Sequence, residues 1–276
     1  LLKDECVCPS AITCASSHNM TLPVVFFGHG SPTNVLEDNP ATRCWHDLGK
    51  RIGRPRAILI VSAHWYTDGT RVTAMPAPRT IHDFGPIAPE LFELDYPAPG
   101  SPELAARIGE LLELGDEAMD QEWGLDHGSW TVLMKAYPGA DIPVVQLSID
   151  ANKTGEEHLA LAQRLSCLRT DGVLIAASGN IVHNLKTMDW DPQSKPYEWA
   201  QGFNDLILEK VADRNHSAIC HFTDLENAEL AIPHPDHFLP LLYALGASLP
   251  SDAIEVFTNF VQYRSLSMAS LLFTQQ

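Results

Sequence analysis

Short runs of apolar residues alternate with longer segments of helical period from Leu22 onward. Apolar runs of this length are typical of strands covered on both faces, and the helical segments between them are typical of a parallel sheet. The pattern predicts one α/β domain, in which helices flank a mostly parallel central sheet. The predicted strands are Val24–Phe27, Ala57–Ser62, Val144–Ser148 and Val173–Ala177.

Two helix starts can be read between these strands. Ser101 followed by Pro102 places a capping side chain before a proline in the first turn. Thr154 and Glu157 have the spacing of a capping box. Proline-rich stretches in which apolar residues continue are predicted to be long ordered loops. They are Met75–Pro78, Gly85–Pro89 and Tyr96–Pro102.

The chain length fits a single large domain, because 276 residues with 45% apolar composition can form one sizeable core. No composition shift or repeat marks an internal boundary. We expect one domain over residues 21–276 and a poorly ordered leader over residues 1–20, which lack hydrophobic periodicity. The leader contains Cys6, Cys8 and Cys14, which could bind a metal ion, although a plain leader is the favoured interpretation.

Charge excludes several kinds of partner. The chain has 18 basic and 35 acidic residues, a formal charge of −17, and no cluster of lysine or arginine. Nucleic acids and anionic membranes need such clusters, so neither is an expected partner. No apolar run approaches the roughly 20 residues that span a bilayer. The six scattered cysteines lack the spacing of a zinc ribbon or disulfide scaffold, which favours a cytoplasmic protein.

Histidines follow several of the predicted strands. His29 lies between two glycines after the first strand, His64 follows the second, and His183 comes soon after Val173–Ala177. His237 lies at the start of an apolar helix. Ligands of open α/β sheets bind outside the carboxyl ends of the strands, and neutral imidazole is a common metal ligand. The sequence therefore predicts a site for one divalent metal ion.

The remaining histidines carry weaker signals. His127 is a fifth candidate on a glycine-punctuated turn, and Asp126 before it is either a partner of a site histidine or a plain helix cap. His82 is less certain, and His234 has a weaker claim than His237. Five histidines are predicted to be surface residues: His18, His46, His158, His216 and His221.

Eight ordered motifs give the chain a family resemblance from about residue 22 to residue 268. They read GHGSP, SAHW, TIHDFG, YPAPGSPELA, GLDHGSW, DIPVVQLSID, SGNIVHNL and HPDHFLPLLYALG. In these motifs the chain resembles the class III extradiol ring-cleavage dioxygenases, most closely their bacterial 4,5-DOPA dioxygenase branch. The resemblance implies a catalytic domain over residues 21–276 that opens a DOPA-like catechol ring with O2 to a muconic semialdehyde.

The resemblance also implies roles for individual histidines. His29, His64 and His237 match the metal ligands of a non-haem Fe(II) enzyme. His183 matches the acid/base histidine, close enough to the metal to serve as a fourth ligand. His127 matches a second catalytic histidine that lines the O2 and substrate pocket. The expected partners are therefore a catechol and O2.

One departure from the family pattern has a physical consequence. Better-studied relatives have a glutamate where this chain has His237. Three neutral imidazoles leave the full +2 charge of the ion uncompensated, which favours the binding of a catecholate. An all-nitrogen site also suits zinc, so Fe(II) is expected for activity and Zn(II) in the protein as isolated.

Residues of the same motifs are candidates for substrate contact. Ser31 follows His29 closely, and Trp65 and Trp130 could stack on an aromatic ring, although aromatic residues at such positions more often belong to the core. Two other functions stay open at this point. A histidine-bound zinc could activate water in a hydrolase on the same scaffold, and a relative of this fold could bind a ligand without catalysis.

Overall fold

The computed structural model describes residues 21–191 and 194–275. Its strands are Val24–Gly28 (β1), Ala57–Thr67 (β2), Val72–Thr73 (β3), Met119–Asp120 (β4), Val144–Asp150 (β5), Val173–Gly179 (β6), Asp252–Thr258 (β7), Val261–Gln262 (β8), Leu266–Ser267 (β9) and Ser270–Gln275 (β10). Its α-helices are Pro40–Ile52 (α1), Pro102–Leu112 (α2), His127–Ala136 (α3), Gly155–Leu165 (α4), Glu198–Ala212 (α5), His216–Cys220 (α6), Ala228–Ala231 (α7) and Pro240–Ala247 (α8).

The four predicted strands form the centre of an eight-stranded sheet in the order β4-β3-β5-β2-β6-β1-β10-β7. Strands β5, β2, β6 and β1 are neighbours and run parallel, which confirms the predicted α/β fold with a mostly parallel central sheet. Strands β10 and β7 extend the sheet in antiparallel fashion on the side of β1. These two strands and the short β3 and β4 were not predicted from the hydrophobic pattern.

Helices cover both faces of the central sheet. Successive side chains of each strand point to opposite faces, so each strand contributes to two separate cores. Val24 and Phe26 of β1 belong to a core that also contains residues of α2, α4, α5 and α8. Val25 and Phe27 belong to a second core with residues of α1 and α3. The continuous apolar runs of the sequence are therefore explained by burial on both faces.

The two helix starts are confirmed. Ser101 Oγ accepts a hydrogen bond from the Leu104 backbone N–H at 3.2 Å, and Pro102 is the first residue of α2. Thr154 Oγ1 accepts from the Glu157 N–H at 3.3 Å, while the Glu157 carboxylate accepts from the Thr154 N–H at 2.7 Å. Each cap satisfies amide groups that the first turn of a helix leaves without a partner.

The prediction that His158 lies on the surface is wrong. Its side chain is fully buried where α4 packs on α8, and Nδ1 lies 3.0 Å from the hydroxyl of Tyr243. Burial lowers the pKa of His158 to about 4, so it is neutral in the folded protein. His46 and His221 are exposed as predicted, and His216 is partly buried.

The predicted leader over residues 1–20, with Cys6, Cys8, Cys14 and His18, lies outside the described residues. The described cysteines are Cys44, Cys167 and Cys220, and all three are free thiols. Within the described ranges, no helix is long and apolar enough to cross a membrane.

Candidate active site

His29 is placed by the end of β1. Its backbone N–H donates to Gly179 O at 3.0 Å, which holds it beside the end of β6. Gly30 follows with φ of 62°, a left-handed conformation that lets the chain turn away directly after the histidine. The Asn34 side chain then donates to His29 O at 3.0 Å and fixes the turn.

His64 lies inside β2, and the prediction that it follows the strand is wrong. The pairing of β2 with β5 shifts register between Val61 and Tyr66, so the strand bulges and then continues. A bulge re-aims side chains without ending a strand, and such irregularities occur next to active sites. His64 therefore reaches the site from a strand interior.

His237 belongs to a 3-10 turn over Pro235–His237, and the predicted apolar helix follows as α8. The Asn180 N–H donates to His237 O at 2.8 Å, which ties this turn to the end of β6. A Cβ atom at Gly179 would collide with the same carbonyl, so only glycine lets the two segments approach this closely.

The imidazoles of His29, His64 and His237 converge on one point. One ring nitrogen from each lies within 4.8 Å of those of the other two, and the Nε2 atoms of His29 and His64 are 3.3 Å apart. Two nitrogens bound to one zinc ion at about 2.1 Å are separated by about 3.0 to 3.4 Å at angles near 90° to 109°. The spacing of this histidine pair fits a shared metal ion.

The hydrogen bonds of His29 fix which nitrogen faces that point. Its Nδ1 lies 2.9 Å from Ser178 Oγ, and this hydroxyl donates its own proton to Gly128 O. Ser178 must therefore accept from His29, which places the imidazole proton on Nδ1 and leaves a lone pair on Nε2.

Carboxylates fix the other two imidazoles in the same way. Asp83 Oδ2 lies 3.3 Å from His64 Nδ1, and Asp236 Oδ1 lies 2.9 Å from His237 Nδ1. A carboxylate only accepts, so both protons are assigned to Nδ1. His237 Nε2 is then a buried acceptor without a hydrogen-bond partner among the described residues. A cation at the convergence point would satisfy it, so the residues present fit a metal ion.

His183 and His127 complete a group of five imidazoles. The ring of His183 stacks on that of His237, with centroids 3.5 Å apart and planes at 5°. The ring centroid of His127, in the first turn of α3, is 3.8 Å from that of His64. Its backbone N–H donates to Asp83 Oδ1 at 2.9 Å, and its Nδ1 lies 3.0 Å from the same oxygen without the alignment of a hydrogen bond.

Burial and crowding keep three of the imidazoles neutral. Burial, followed by the repulsion of neighbouring imidazolium charges, holds the pKa values of His29, His64 and His183 well below the usual range. Neutral imidazole is the form that binds metals. Burial alone would raise the pKa of Asp83, but the contacts with His127 and His64 outweigh it and lower that pKa.

A cavity of about 430 Å³ opens above the histidines. All five imidazoles line it, together with Ser31 and Asp83. Its other walls are mainly apolar and include Phe84, Ile87, Leu185, Met188, Trp190 and Leu266. Candidate metal ligands, candidate acid/base groups and an apolar chamber thus share one space, as in sites that bind a small aromatic molecule.

The family of the catalytic LigB subunit of aromatic ring-opening dioxygenases matches residues 23–274. This chain belongs to that family. It is 48% identical to the 4,5-DOPA dioxygenase extradiol of Escherichia coli K12 over 91% of this chain and 94% of the relative. It is 36% identical to the protein of the same name from Beta vulgaris, over 90% and 95%. A crystal structure of an uncharacterized protein from Escherichia coli K12 has a TM-score of 0.78 and 44% identity, over 91% of this chain and 99% of that one.

Membership in this family confirms the activity class that the sequence motifs implied, extradiol ring opening by a dioxygenase. LigB-family dioxygenases are non-haem metal-dependent enzymes, in agreement with the three converging histidines. Ring opening by this family consumes a catechol and O2, so both are partners of the reaction.

Two tryptophans expected near the substrate do not line the cavity of this dioxygenase. Trp65 is buried and stacks on Trp123, with ring centroids 5.6 Å apart and planes at 3°. Trp130 is fully buried, and its Nε1 donates to Ile81 O at 2.9 Å. Both are core residues, because each points into the packing behind the site. The expected contact residue that does line the cavity is Ser31.

Weaker candidates also lie outside the cavity. His82 Nε2 lies 2.9 Å from Leu94 O, and the side chain of His234 is 62% exposed. Asp126 is the cap of α3, where it accepts from the Ser129 N–H at 3.1 Å and from Ser62 Oγ at 2.6 Å. Of its two interpretations, the cap is the one that these contacts support, and burial raises its pKa to about 6.

Sequence reasoning missed the three residues that orient the converging imidazoles of His29, His64 and His237. Asp83 and Asp236 are each adjacent in sequence to a candidate histidine, and Ser178 ends a predicted strand. A polar side chain next to a site histidine was the available signal. Adjacency alone does not predict that Asp83 serves His64 and His127 instead of its neighbour His82.

Proposed function

We propose that this dioxygenase opens a DOPA-like catechol ring beside its paired hydroxyls and forms a muconic semialdehyde, with a single Fe(II) ion held by His29, His64 and His237. The observation that carries the proposal is the convergence of three imidazoles whose Nδ1 atoms are all occupied by oxygen partners. Their Nε2 lone pairs are left for one cation. Such outer partners are what hold imidazole ligands in a fixed tautomer and orientation.

The charge of this donor set supports a catecholate substrate. Three neutral imidazoles would leave the ion's charge of +2 in place. Asp83 and Asp236 are not part of this donor set, because they contact the outer nitrogens of His64 and His237. When bound, Fe(II) would lower the pKa of the catechol hydroxyls and transfer electrons between the ring and O2. The second catechol proton still needs an acceptor from the protein.

His183 is the group we assign to that proton. Burial keeps it neutral, and its ring lies against His237, so an accepted proton stays beside the reacting oxygens. The same proton can return to an oxygen atom as the ring opens. General acid/base help of this kind contributes about 10² to 10⁴ in rate.

His127 is assigned a second proton-handling role. Its Nδ1 faces Asp83, so Nε2 is the nitrogen available to a substrate or O2 oxygen in the cavity. Ser31 lines the same cavity and offers a hydroxyl. It is also the cap of the 3-10 helix over Pro32–Leu36, which fixes its position.

A zinc hydrolase is the second candidate function, favoured by the all-nitrogen donor set that zinc also accepts. Oxygen uptake separates the two. Protein reconstituted with Fe(II) should consume O2 and catechol in equal amounts and form a coloured semialdehyde, whereas zinc-loaded protein should not. Product formation by iron-loaded protein without O2 would contradict the dioxygenase proposal and favour hydrolysis.

We place the catalytic unit in residues 21–276, a range supported by the family match over residues 23–274. The scattered free thiols favour the cytoplasm as its compartment.

A further inference from the structure

The cavity has a polar floor and an apolar rim. On the floor, the side chains of His29 and His237 are almost inaccessible, at 2% and 5% exposure. At the rim, Ile87, Leu185 and Trp190 are 42%, 59% and 55% exposed although each also lines the cavity. Large apolar side chains that remain exposed around a pocket mark a surface that a ligand covers.

The described part of the rim has no cationic partner for an anion. Among the described residues, no lysine or arginine lines the cavity, and Asp83 is its carboxylate. Lys186 follows Leu185 in sequence, but its exposed side chain is not part of the wall. The formal charge of −17 adds a general repulsion of anions. A carboxylate on the substrate would therefore lose water at the rim without gaining an ion pair.

Geometry fixes which part of a catechol meets this rim. The two hydroxyls bind at the floor, where the imidazoles converge, so ring carbons 4 and 5 on the opposite edge point outward. A substituent at carbon 4 then points towards the rim that contains Leu185, Trp190 and Ile87. The chemistry of the rim selects the chemistry of that substituent.

We propose that the preferred substrates are catechols with an uncharged, apolar substituent at carbon 4, such as an alkyl or aryl group. This inference rests on the proposed function, because it takes the catechol hydroxyls to bind at the histidines. The carboxylate of the DOPA side chain finds no cationic partner among the described residues that line the cavity. DOPA is accordingly a poor substrate compared with an alkyl catechol of similar length.

Matched substrates test the proposal with iron-loaded protein. 4-Propylcatechol and 3,4-dihydroxyphenylacetate have side chains that extend three non-hydrogen atoms from the ring and end in a methyl group and a carboxylate. We expect kcat/KM to be at least tenfold higher for the propyl compound than for the carboxylate. From 4-methyl to 4-ethyl to 4-propylcatechol, KM should fall by up to about fourfold for each methylene, the value of its burial.

Binding gives a readout that does not depend on turnover. Zinc has no redox chemistry, so calorimetry with zinc-loaded protein should give dissociation constants in the same order. Leu185→Lys places a cation on the rim and should move the ratio of carboxylate to propyl affinity towards the carboxylate by at least tenfold. Leu230→Lys is the matched control, since Leu230 is 44% exposed on α7, does not line the cavity and should leave the ratio unchanged.

Three results separate the inference from the proposed function. Equal or better use of DOPA or the carboxylate compound by the wild-type protein would overturn the inference and leave ring opening intact. A loss of DOPA affinity in Lys186→Ala would overturn it too, because Lys186 would then be the carboxylate partner. Absence of O2 uptake with every catechol would contradict the proposed function, and the calorimetric series would still decide the rim preference.

Discussion

Replacing Asp83 by asparagine removes an acceptor shared by two site histidines. Asp83 Oδ2 faces His64 Nδ1 at 3.3 Å, and Asp83 Oδ1 accepts a hydrogen bond from the backbone N–H of His127 at 2.9 Å. An asparagine can keep its oxygen towards His127 only by turning its amide NH2 towards His64 Nδ1. Two donors would then face each other, which favours the His64 tautomer with its proton on Nε2, the nitrogen that faces the metal position.

The size of the effect follows from these contacts. A hydrogen bond to a charged group contributes about 1.5 to 3 kcal/mol, and loss of an outer partner of a histidine ligand reduces metal affinity about 10- to 100-fold. We expect Asp83→Asn to weaken Zn(II) and Fe(II) binding by that factor, with an unchanged fold. Competition with a chromophoric chelator measures the affinity, and circular dichroism checks the fold.

A matched substitution serves as the control for this experiment. Asp95 accepts a hydrogen bond from Thr80 Oγ1 at 2.5 Å and contacts no site histidine in the described structure. Asp95→Asn should therefore retain wild-type metal affinity. If Asp83→Asn bound metal within twofold of the wild-type protein, the assignment of Asp83 as the group that orients His64 would be refuted.

Three further predictions concern single side chains. His183→Ala should retain metal, measured by elemental analysis, and lose about 10² to 10⁴ in the rate of O2 uptake, whereas wild-type turnover would defeat the proton-transfer role. His158, with its pKa lowered to about 4 against 6.5 when unfolded, takes up a proton more readily in the unfolded chain. The free energy of unfolding should therefore fall by up to about 3 kcal/mol between pH 6.5 and 4, and urea titrations of His158→Phe should lack this component. Trp130→Phe removes the hydrogen bond to Ile81 O and should lower the free energy of unfolding by about 1 kcal/mol with KM unchanged. A raised KM at unchanged stability would instead show that Trp130 contacts the substrate.

The sequence predicted the centre of the fold because its signals there are local. The strands Val24–Gly28 and Val173–Gly179 are short apolar runs buried on both faces, and such runs can be recognised without knowledge of their neighbours. Capping residues such as Ser101 act within one turn, so they too were predicted correctly. The outer antiparallel strand Ser270–Gln275 was missed, because its run of three apolar residues, Leu271–Phe273, is too short to identify a strand by pattern alone.

The candidate metal ligands illustrate the same division. His29, His64 and His237 were predicted from motifs and from the rule that parallel strands present their carboxyl ends at one edge. The sequence did not predict that His64 occupies a bulge, because a bulge is defined by the register of two strands. Their approach to within 4.8 Å is a property of the folded sheet.

By itself, the sequence predicted the α/β class, the family and the candidate histidines of the site. Only the tertiary structure decided which groups face them: Ser178 behind His29, Asp83 shared by His64 and His127, and the exposed apolar rim over the floor. Local pattern encodes secondary structure because backbone geometry repeats over a few residues. Hydrogen-bond partners and cavity walls depend on contacts between distant segments, and such contacts exist only once the sheet has formed.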